Sequence, residues 1–322
     1  MFRVPGADEL LRGSLLHMSD SRALAHWLTH TALGRKLASR FVAGETLDSA
    51  VVGLRDLHVA GIRASLDHLG EAVTNPAEAI DAATEYVRIL EWLREVGAMD
   101  RPARGKEVLD CNVSLKLTQM GLGISRTLCT DNLLRILDAA RNARQFVRLD
   151  MESSHHTEDT LDVFEDVWAR GYENCGIVLQ AYLRRTERDV ERAVELGCRV
   201  RLCKGAYAEP PAVAFTDKHD TDANYLRLAR RLLDAGHFPA MATHDPRIIR
   251  EIESWRPDPT SFEFQMLYGV RPEVQRRLAA SGWGMRAYVP FGSSLVKRVA
   301  VPLSLPSSRQ SPMPPGGGTT GA

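Results

Sequence analysis

Eight short β-rich runs, each leading into a longer stretch with helical spacing, constrain this chain more than any other feature of its 322 residues. The runs are GIRASLDHL (61–69), VLDCNVSLKL (108–117), FVRLDM (146–151), CGIVLQA (175–181), RVRLCKG (199–205), PAMATH (239–244), SFEFQML (261–267) and GMRAYVPFG (284–292). Between them lie amphipathic stretches such as TLDVFEDVWARG, RTERDVERAVELG and ANYLRLARRLLDAG, several ending in the glycine that suits a helix C-terminus. Thr186 with Asp189, and Thr221 ahead of Tyr225, stand where helix N-terminal caps are expected. Such strand–helix units imply parallel strands joined by right-handed crossovers, and the economical closure is an α/β fold of (β/α)8, TIM-type barrel form. A doubly wound open sheet is the alternative, but no GxGxxG turn follows the first run. Residues 1–60 read as a helical segment packed on the barrel, 61–301 as the barrel, and 302–322 as a Pro/Gly/Ser tail with the composition of disorder.

Composition narrows the function classes. A formal net charge of zero gives no bulk attraction to nucleic acid. No apolar run approaches the roughly 18 residues of a membrane span. The first 28 residues are broken by charges and lack the apolar centre of a secretory signal. Cys111, Cys129, Cys175, Cys198 and Cys203 show no paired or zinc-like spacing. They are expected to be reduced core thiols of a cytoplasmic protein.

In a barrel of this kind the chemistry sits at the C-terminal ends of the strands, and here those ends are polar. The runs supply Asp67, His68 and Glu71, then Lys116, then Asp150, Met151 and Glu152, then Gln180. Arg201 and Lys204, Thr243 and His244, Glu263 and Gln265, and finally Tyr288 follow. Charges inside strands are costly unless paired or used, so so many of them read as a site. Three chemistries could use the set. A metal-dependent hydrolase could draft Asp150, Glu152, His155, His156 and His244, although no HxH or HExxH spacing supports it, and the adjacent histidines read as a solvated loop pair. A Schiff-base aldolase could use Lys116 or Lys204. A cofactor enzyme gains from RVRLCKGAYAEP, where Gly205 and Ala206 leave room for a flat ligand, Tyr207 borders it, and Arg201 shares an inward face with Cys203.

The motifs FVAGETLD (41–48), LDHLGE (66–71), VSLKL (113–117), RLDME (148–152), VLQAYLRRTE (178–187), VRLCKGAYAEP (200–210), ATHDPRII (242–249), FEFQMLYG (262–269) and YVPFG (288–292) occur in order. Together they resemble proline dehydrogenase of the monofunctional bacterial type. The resemblance implies a barrel that binds FAD and oxidises L-proline to 1-pyrroline-5-carboxylate, with hydride transfer to flavin N5. It further implies a membrane quinone as electron acceptor, reached by peripheral contact with the inner face of the cell membrane. Carried over, the flavin would rest against Asp150, Met151, Gln180, Arg201, Cys203, Gly205, Ala206 and Tyr207. Its ribityl and phosphate end would meet Lys218, Thr221, Thr243, His244 and Gln265, the first two in the stretch FTDKHDTD, which on composition alone is a solvated charge run. Lys116 would face the substrate carboxylate with Asp150 orienting its amine, Ala206, Leu267 and Tyr288 would wall the proline ring, and Glu71 would stand at the entrance.

The chain departs from the family after its eighth run. The family continues into a helix with a tyrosine and, three residues on, an arginine pair that clamps the substrate carboxylate. Those positions fall near Ala300, Leu303 and Ser304. Residues 293–301 (SSLVKRVAV) could make a short helix, which Pro302 and Pro306 stop, so the last helix is expected to be truncated. Lys297 and Arg298 are the nearby cations. The expected consequences are weakened proline binding, better-preserved flavin binding, and an uncovered seam between the eighth and first strands. A flavin-binding barrel without turnover is the rival this departure raises.

Overall fold

The computed structural model describes Gly44 and residues 46–70, 73–101 and 109–292. The expectations for residues 1–43, for Glu71, and for the shortened helix and tail beyond Gly292 lie outside the described residues. Parallel strands close into a barrel in sequence order. They are β1 (Arg63–His68), β2 (Cys111–Lys116), β3 (Val147–Asp150), β4 (Cys175–Gln180), β5 (Arg199–Cys203), β6 (Ala240–Ala242), β7 (Glu263–Leu267) and β8 (Met285–Phe291). Each of the eight runs contains one strand, shortened at its ends. Helix α1 (Leu47–Val59) precedes β1. The seven helices α2 (Pro76–Glu95), α3 (Arg126–Asn142), α4 (Ser154–Ala169), α5 (Thr186–Leu196), α6 (Lys218–Ala235), α7 (Pro246–Ser254) and α8 (Pro272–Ala280) follow β1 to β7 in turn. Pairing of β1 with β8, from Arg63 beside Arg286 to His68 beside Phe291, completes the closure.

Helix boundaries follow local chemistry. Asn75 caps α2 by accepting from the Glu78 N–H at 3.0 Å, with Pro76 preset for the first turn. Gly197 ends α5 in the left-handed region at φ 68°. Two predicted caps are corrected. The α5 cap position is Arg185, and the Thr186 hydroxyl turns back to the Gln180 carbonyl at 2.5 Å. The α6 cap is Asp217, whose carboxylate accepts from the His219 N–H at 2.6 Å. That acidic acceptor takes the capping role one turn early, so Thr221 sits inside the helix and donates to the Asp217 carbonyl at 3.1 Å.

The outer face of the sheet is apolar and buried under the helices, as both-sided burial of parallel strands requires: Val113 and Leu115, Val147 and Leu149, Ile177 and Leu179, Val200 and Leu202. The seam between β8 and β1 is covered by α1, which packs on both strands and buries Ala50, Leu54 and Leu57. Ala64 and Leu66 of β1, and Ala287 and Val289 of β8, are accordingly buried. The Gly292 N–H also donates to the Gly44 carbonyl at 3.0 Å, tying the end of β8 to the start of α1. The expected bare seam is thus corrected, because the helix before the barrel fills the place.

The inner face departs from the Val/Ile/Leu layers usual in this fold. At the floor, Arg286 is buried and donates to Glu263 at 2.7 Å, to Asp110 at 3.0 Å and to the Ala64 carbonyl at 2.5 Å. Arg63 reaches Glu263 at 3.1 Å, and Arg199 reaches Asp100 at 2.8 Å. Burial opposes the Glu263 charge, but Arg286 and Arg63 outweigh it and hold the carboxyl down at about 2. Arg148, also buried, donates to the Arg199 and Ile177 carbonyls at 2.6 and 3.0 Å. All five cysteines are free thiols, and burial pushes Cys111, Cys129, Cys198 and Cys203 up to about 12. Among the described residues no helix is long and apolar enough to cross a membrane.

Candidate active site

Alternation along each strand carries the polar floor upward to the C-terminal mouth. Arg201 of β5 crosses the barrel, donating from Nε to Gln265 of β7 at 2.5 Å and from a terminal nitrogen to the Ser114 hydroxyl of β2 at 3.0 Å. Its other terminal nitrogen donates to Asp150 Oδ1 of β3 at 2.7 Å. The second oxygen of Asp150 accepts the Tyr288 hydroxyl of β8 at 2.7 Å, and the Tyr288 ring lies 5.1 Å from the Arg201 guanidinium. Lys116 of β2 stands between two carboxylates, 3.9 Å from Asp150 and 4.0 Å from Asp67. The Lys116 side chain is only 20 % exposed and its ammonium has an acid on either side. A Schiff-base lysine needs the opposite, a desolvated amine without such partners.

A second charged group stands on the neighbouring rim. Lys204, just past β5, pairs with Asp245 at 3.0 Å and with Asp222. Lys218, the first residue of α6, pairs with Asp245 at 3.2 Å and with Asp222. Burial alone would raise the Asp245 carboxyl, but the Lys204 amine, the Arg247 N–H and the Lys218 amine hold it well below the usual range. Thr243 accepts from the Asp245 N–H at 3.1 Å, and His244 Nε2 accepts from the Leu267 N–H at 2.8 Å. Gln180 is buried and donates to the Glu152 carbonyl at 2.7 Å, while the Glu152 carboxylate holds the Thr118 hydroxyl at 2.8 Å.

The β5–α6 loop frames this mouth. Gly205 has φ 118°, and a side-chain carbon there would lie 2.2 Å from the Tyr182 ring. The room that the sequence offered to a flat ligand is therefore taken on that side by the chain's own tyrosine. Ala206 and Tyr207 follow on the exposed part of the loop. Glu209 anchors it further on, accepting the Ser154 N–H at 2.7 Å and the Ser154 hydroxyl at the start of α4.

Comparison with known proteins decides the family. The sequence model of the family described as Proline dehydrogenase matches residues 50–296. The chain belongs to the proline dehydrogenase family. It is 38% identical over 300 residues to "Proline dehydrogenase 1" of Bacillus subtilis subsp. natto, covering 90% of this chain and 95% of the relative. It is 37% identical over 293 residues to "Proline dehydrogenase" of Deinococcus radiodurans, covering 88% and 90% respectively. Among solved structures it resembles proline utilization A (PutA) from Bdellovibrio bacteriovorus inactivated by N-propargylglycine, with TM-score 0.77 and 25% identity. That alignment covers 90% of this chain and 38% of the PutA chain, so the likeness is to one part of a longer protein. The chain is accordingly an enzyme that oxidises proline, in proline catabolism.

Some of the predicted residues meet in the two clusters, whereas Gln180 turns to Glu152 and His244 to the Leu267 N–H. Lys116, Asp150, Arg201, Gln265 and Tyr288 share one network. Lys218 shares the other with Lys204, and Thr243 meets it through Asp245. Lys218 and Thr221 belong to the first turn of α6 rather than to a loop, and Thr221 is buried with its hydroxyl turned to its own helix. His155 and His156 likewise lie in the first turn of α4, not in a loop, with ring centroids 4.9 Å apart. Among the described residues no three His, Cys, Asp or Glu side chains gather as a metal site would need. Sequence reasoning missed Ser114, Tyr182, Asp222 and Asp245. Ser114 had a signal, since it alternates with Lys116 on one strand face. Asp222 had none beyond standing in the first turns of α6, and Asp245 read only as the cap ahead of Pro246, which it is.

Proposed function

We propose that this enzyme uses FAD to oxidise L-proline to 1-pyrroline-5-carboxylate at the C-terminal mouth of the barrel. The observation that supports this best is the Asp150 carboxylate shared by Arg201, Tyr288 and Lys116. It gathers two hydrogen-bond donors and a lysine ammonium from three other strands where a small charged substrate would enter. The residues present also suit a dinucleotide. Arg201 is a buried permanent cation under the mouth, and Lys204 and Lys218 stand at the start of α6, whose N-terminal dipole favours phosphate. Arg201, Gln180, Met151, Cys203 and the 205–207 loop would hold the ring system. Lys218, Thr221, Thr243 and His244 would hold the ribityl and phosphate end. A bound flavin supplies the two-electron acceptor for the hydride leaving the carbon next to the proline nitrogen.

Lys116 meets the proline carboxylate, and its bracketing acids hold the ammonium in place rather than leaving it to swing. Tyr288, fixed by Asp150, and Leu267, its register neighbour, wall the ring together with Ala206. Arg201 keeps a positive charge close to where negative charge collects. Electrons then pass to a membrane quinone, by peripheral contact of an otherwise cytoplasmic protein. Anaerobic mixing of the purified protein with L-proline tests the reading. Loss of the oxidised flavin absorbance is expected in the wild type, slowed at least tenfold by Asp150→Asn, which weakens charge-assisted bonds to three partners. A protein that carries no flavin, or whose flavin ignores proline, would refute it.

A further inference from the structure

A single polar chain runs from the barrel floor to the site, and its direction is dictated by chemistry. Glu263 Oε1 accepts from Arg286 Nε at 2.7 Å and from Gln265 Nε2 at 2.6 Å. A carboxylate can only accept, so it fixes which end of the Gln265 amide turns downward. The amide oxygen is thereby left facing Arg201, whose Nε can only donate and does so at 2.5 Å. Arg201 then holds Asp150, and Asp150 holds Tyr288. Glu263 and Gln265 are both 3% exposed, so no solvent competes for these bonds.

We infer that Glu263, on the barrel floor, is a positioning residue for proline oxidation: through Gln265 it sets the donor order that holds Arg201 against Asp150. An amide in its place could present either end upward, and the wrong end would set an N–H against the Arg201 Nε–H. The inference rests on the placement of the reaction at Arg201 and Asp150 proposed above, but part of its test is independent of any flavin.

The test compares Glu263→Gln, Gln265→Met and the exchange Glu263→Gln with Gln265→Glu in the purified enzyme. In the exchange the amide at 263 donates upward and the carboxylate at 265 accepts from Arg201, so the order above residue 263 returns, while Arg286 Nε loses the acceptor it shares with Gln265 in the wild type. Two readouts are used: kcat with L-proline, and hydrogen exchange of the Arg201 Nε–H by NMR, assigned through Arg201→Lys. Glu263→Gln and Gln265→Met are each expected to lower kcat about tenfold and to speed the exchange at least tenfold, the worth of one charge-assisted bond. The exchange variant is expected to recover both to within about threefold, on the same grounds. Gln265→Met leaves the Glu263–Arg286 pair intact, so it carries the test if Glu263→Gln fails to fold. A Glu263→Gln protein that loses only thermal stability, or an exchange variant no better than its single parent, overturns the inference. An enzyme without flavin would end the reading above while leaving the Arg201 exchange measurement valid.

Discussion

Asp150 accepts from Arg201 on one oxygen and from Tyr288 on the other, so each donor can be removed without freeing the carboxylate. Tyr288→Phe isolates one of them. The ring remains over the Arg201 guanidinium at 5.1 Å and only the hydroxyl is lost. Because Asp150 keeps Arg201 and Lys116, the fold should lose little, and melting temperature is expected to stay within about 3 °C. The kcat/KM for L-proline is expected to fall by roughly 10- to 100-fold, the range for one hydrogen bond to a charged group in a dry site. Unchanged kinetics would remove Tyr288 from the site. At this scale the sequence was informative about membership and silent about partners. Lys116, Asp150 and Tyr288 were visible because ionisable and phenolic groups at strand ends are hard to explain as packing. That Arg201 would reach Ser114, two strands further round than its neighbour β4, depends on barrel closure, which no local pattern encodes.

The loop from β5 to α6 shows how an element reuses a residue read differently in isolation. Tyr182, two residues past the end of β4, takes its N–H to the Lys204 carbonyl at 2.8 Å, which lays its ring against Gly205. Leu183 bridges Ala214, and Glu209 holds the far side of the loop to α4, whose own cap residue Ser153 makes no side-chain capping bond. The helix thus receives at its first turn a carboxylate from a loop more than fifty residues away in sequence, favoured by its dipole. The sequence run RVRLCKG suggested a strand through Gly205, yet the strand ends at Cys203 because the backbone must turn at positive φ. Glycine was legible as necessary, but not what it made room for. Gly205→Ala is expected to destabilise by about 2–5 kcal/mol, since overpacking against Tyr182 and a disfavoured φ act together. Tyr182→Ala relieves the first cost and not the second, so the double variant should be more stable than the sum of the singles predicts. Urea unfolding of all four proteins closes the cycle. Strict additivity would show that the ring and the glycine do not meet.

For the whole molecule, charge is divided between an outer belt and an inner column with opposite sensitivities. The belt links successive helices: Arg126 to Asp162 and Asp166, Arg185 to Glu158, Arg192 to Glu165, Arg231 to Glu191 and Arg277 to Glu253. Most of these groups are exposed, so the pairs are screened by salt and contribute little. The column differs because Glu263 is buried between Arg286 and Arg63 and its carboxyl is held at about 2, below its ordinary value. Asp245 is shifted the same way on the rim. A carboxyl with a depressed folded pKa adds stability above its unfolded pKa, and that stability is lost as pH falls through the folded value. For Glu263 the loss falls between about pH 4.5 and pH 2 and is on the order of 3 kcal/mol. Asp110, raised by burial ahead of its arginine partners, works in the opposite direction and shallows the slope. Urea midpoints measured across this window should therefore fall steeply for the wild type and change little between 0.1 and 0.5 M salt at pH 7. Glu263→Gln is expected to start about 3–5 kcal/mol lower at pH 7, because Arg286 keeps its burial and loses its nearest acid. The same variant should then fall more gently towards pH 2, having no carboxyl there to protonate. A wild-type slope retained in Glu263→Gln would move the acid sensitivity from Glu263 to Asp245 on the rim or to the outer belt, and only in the second case would high salt at pH 7 destabilise the enzyme as well.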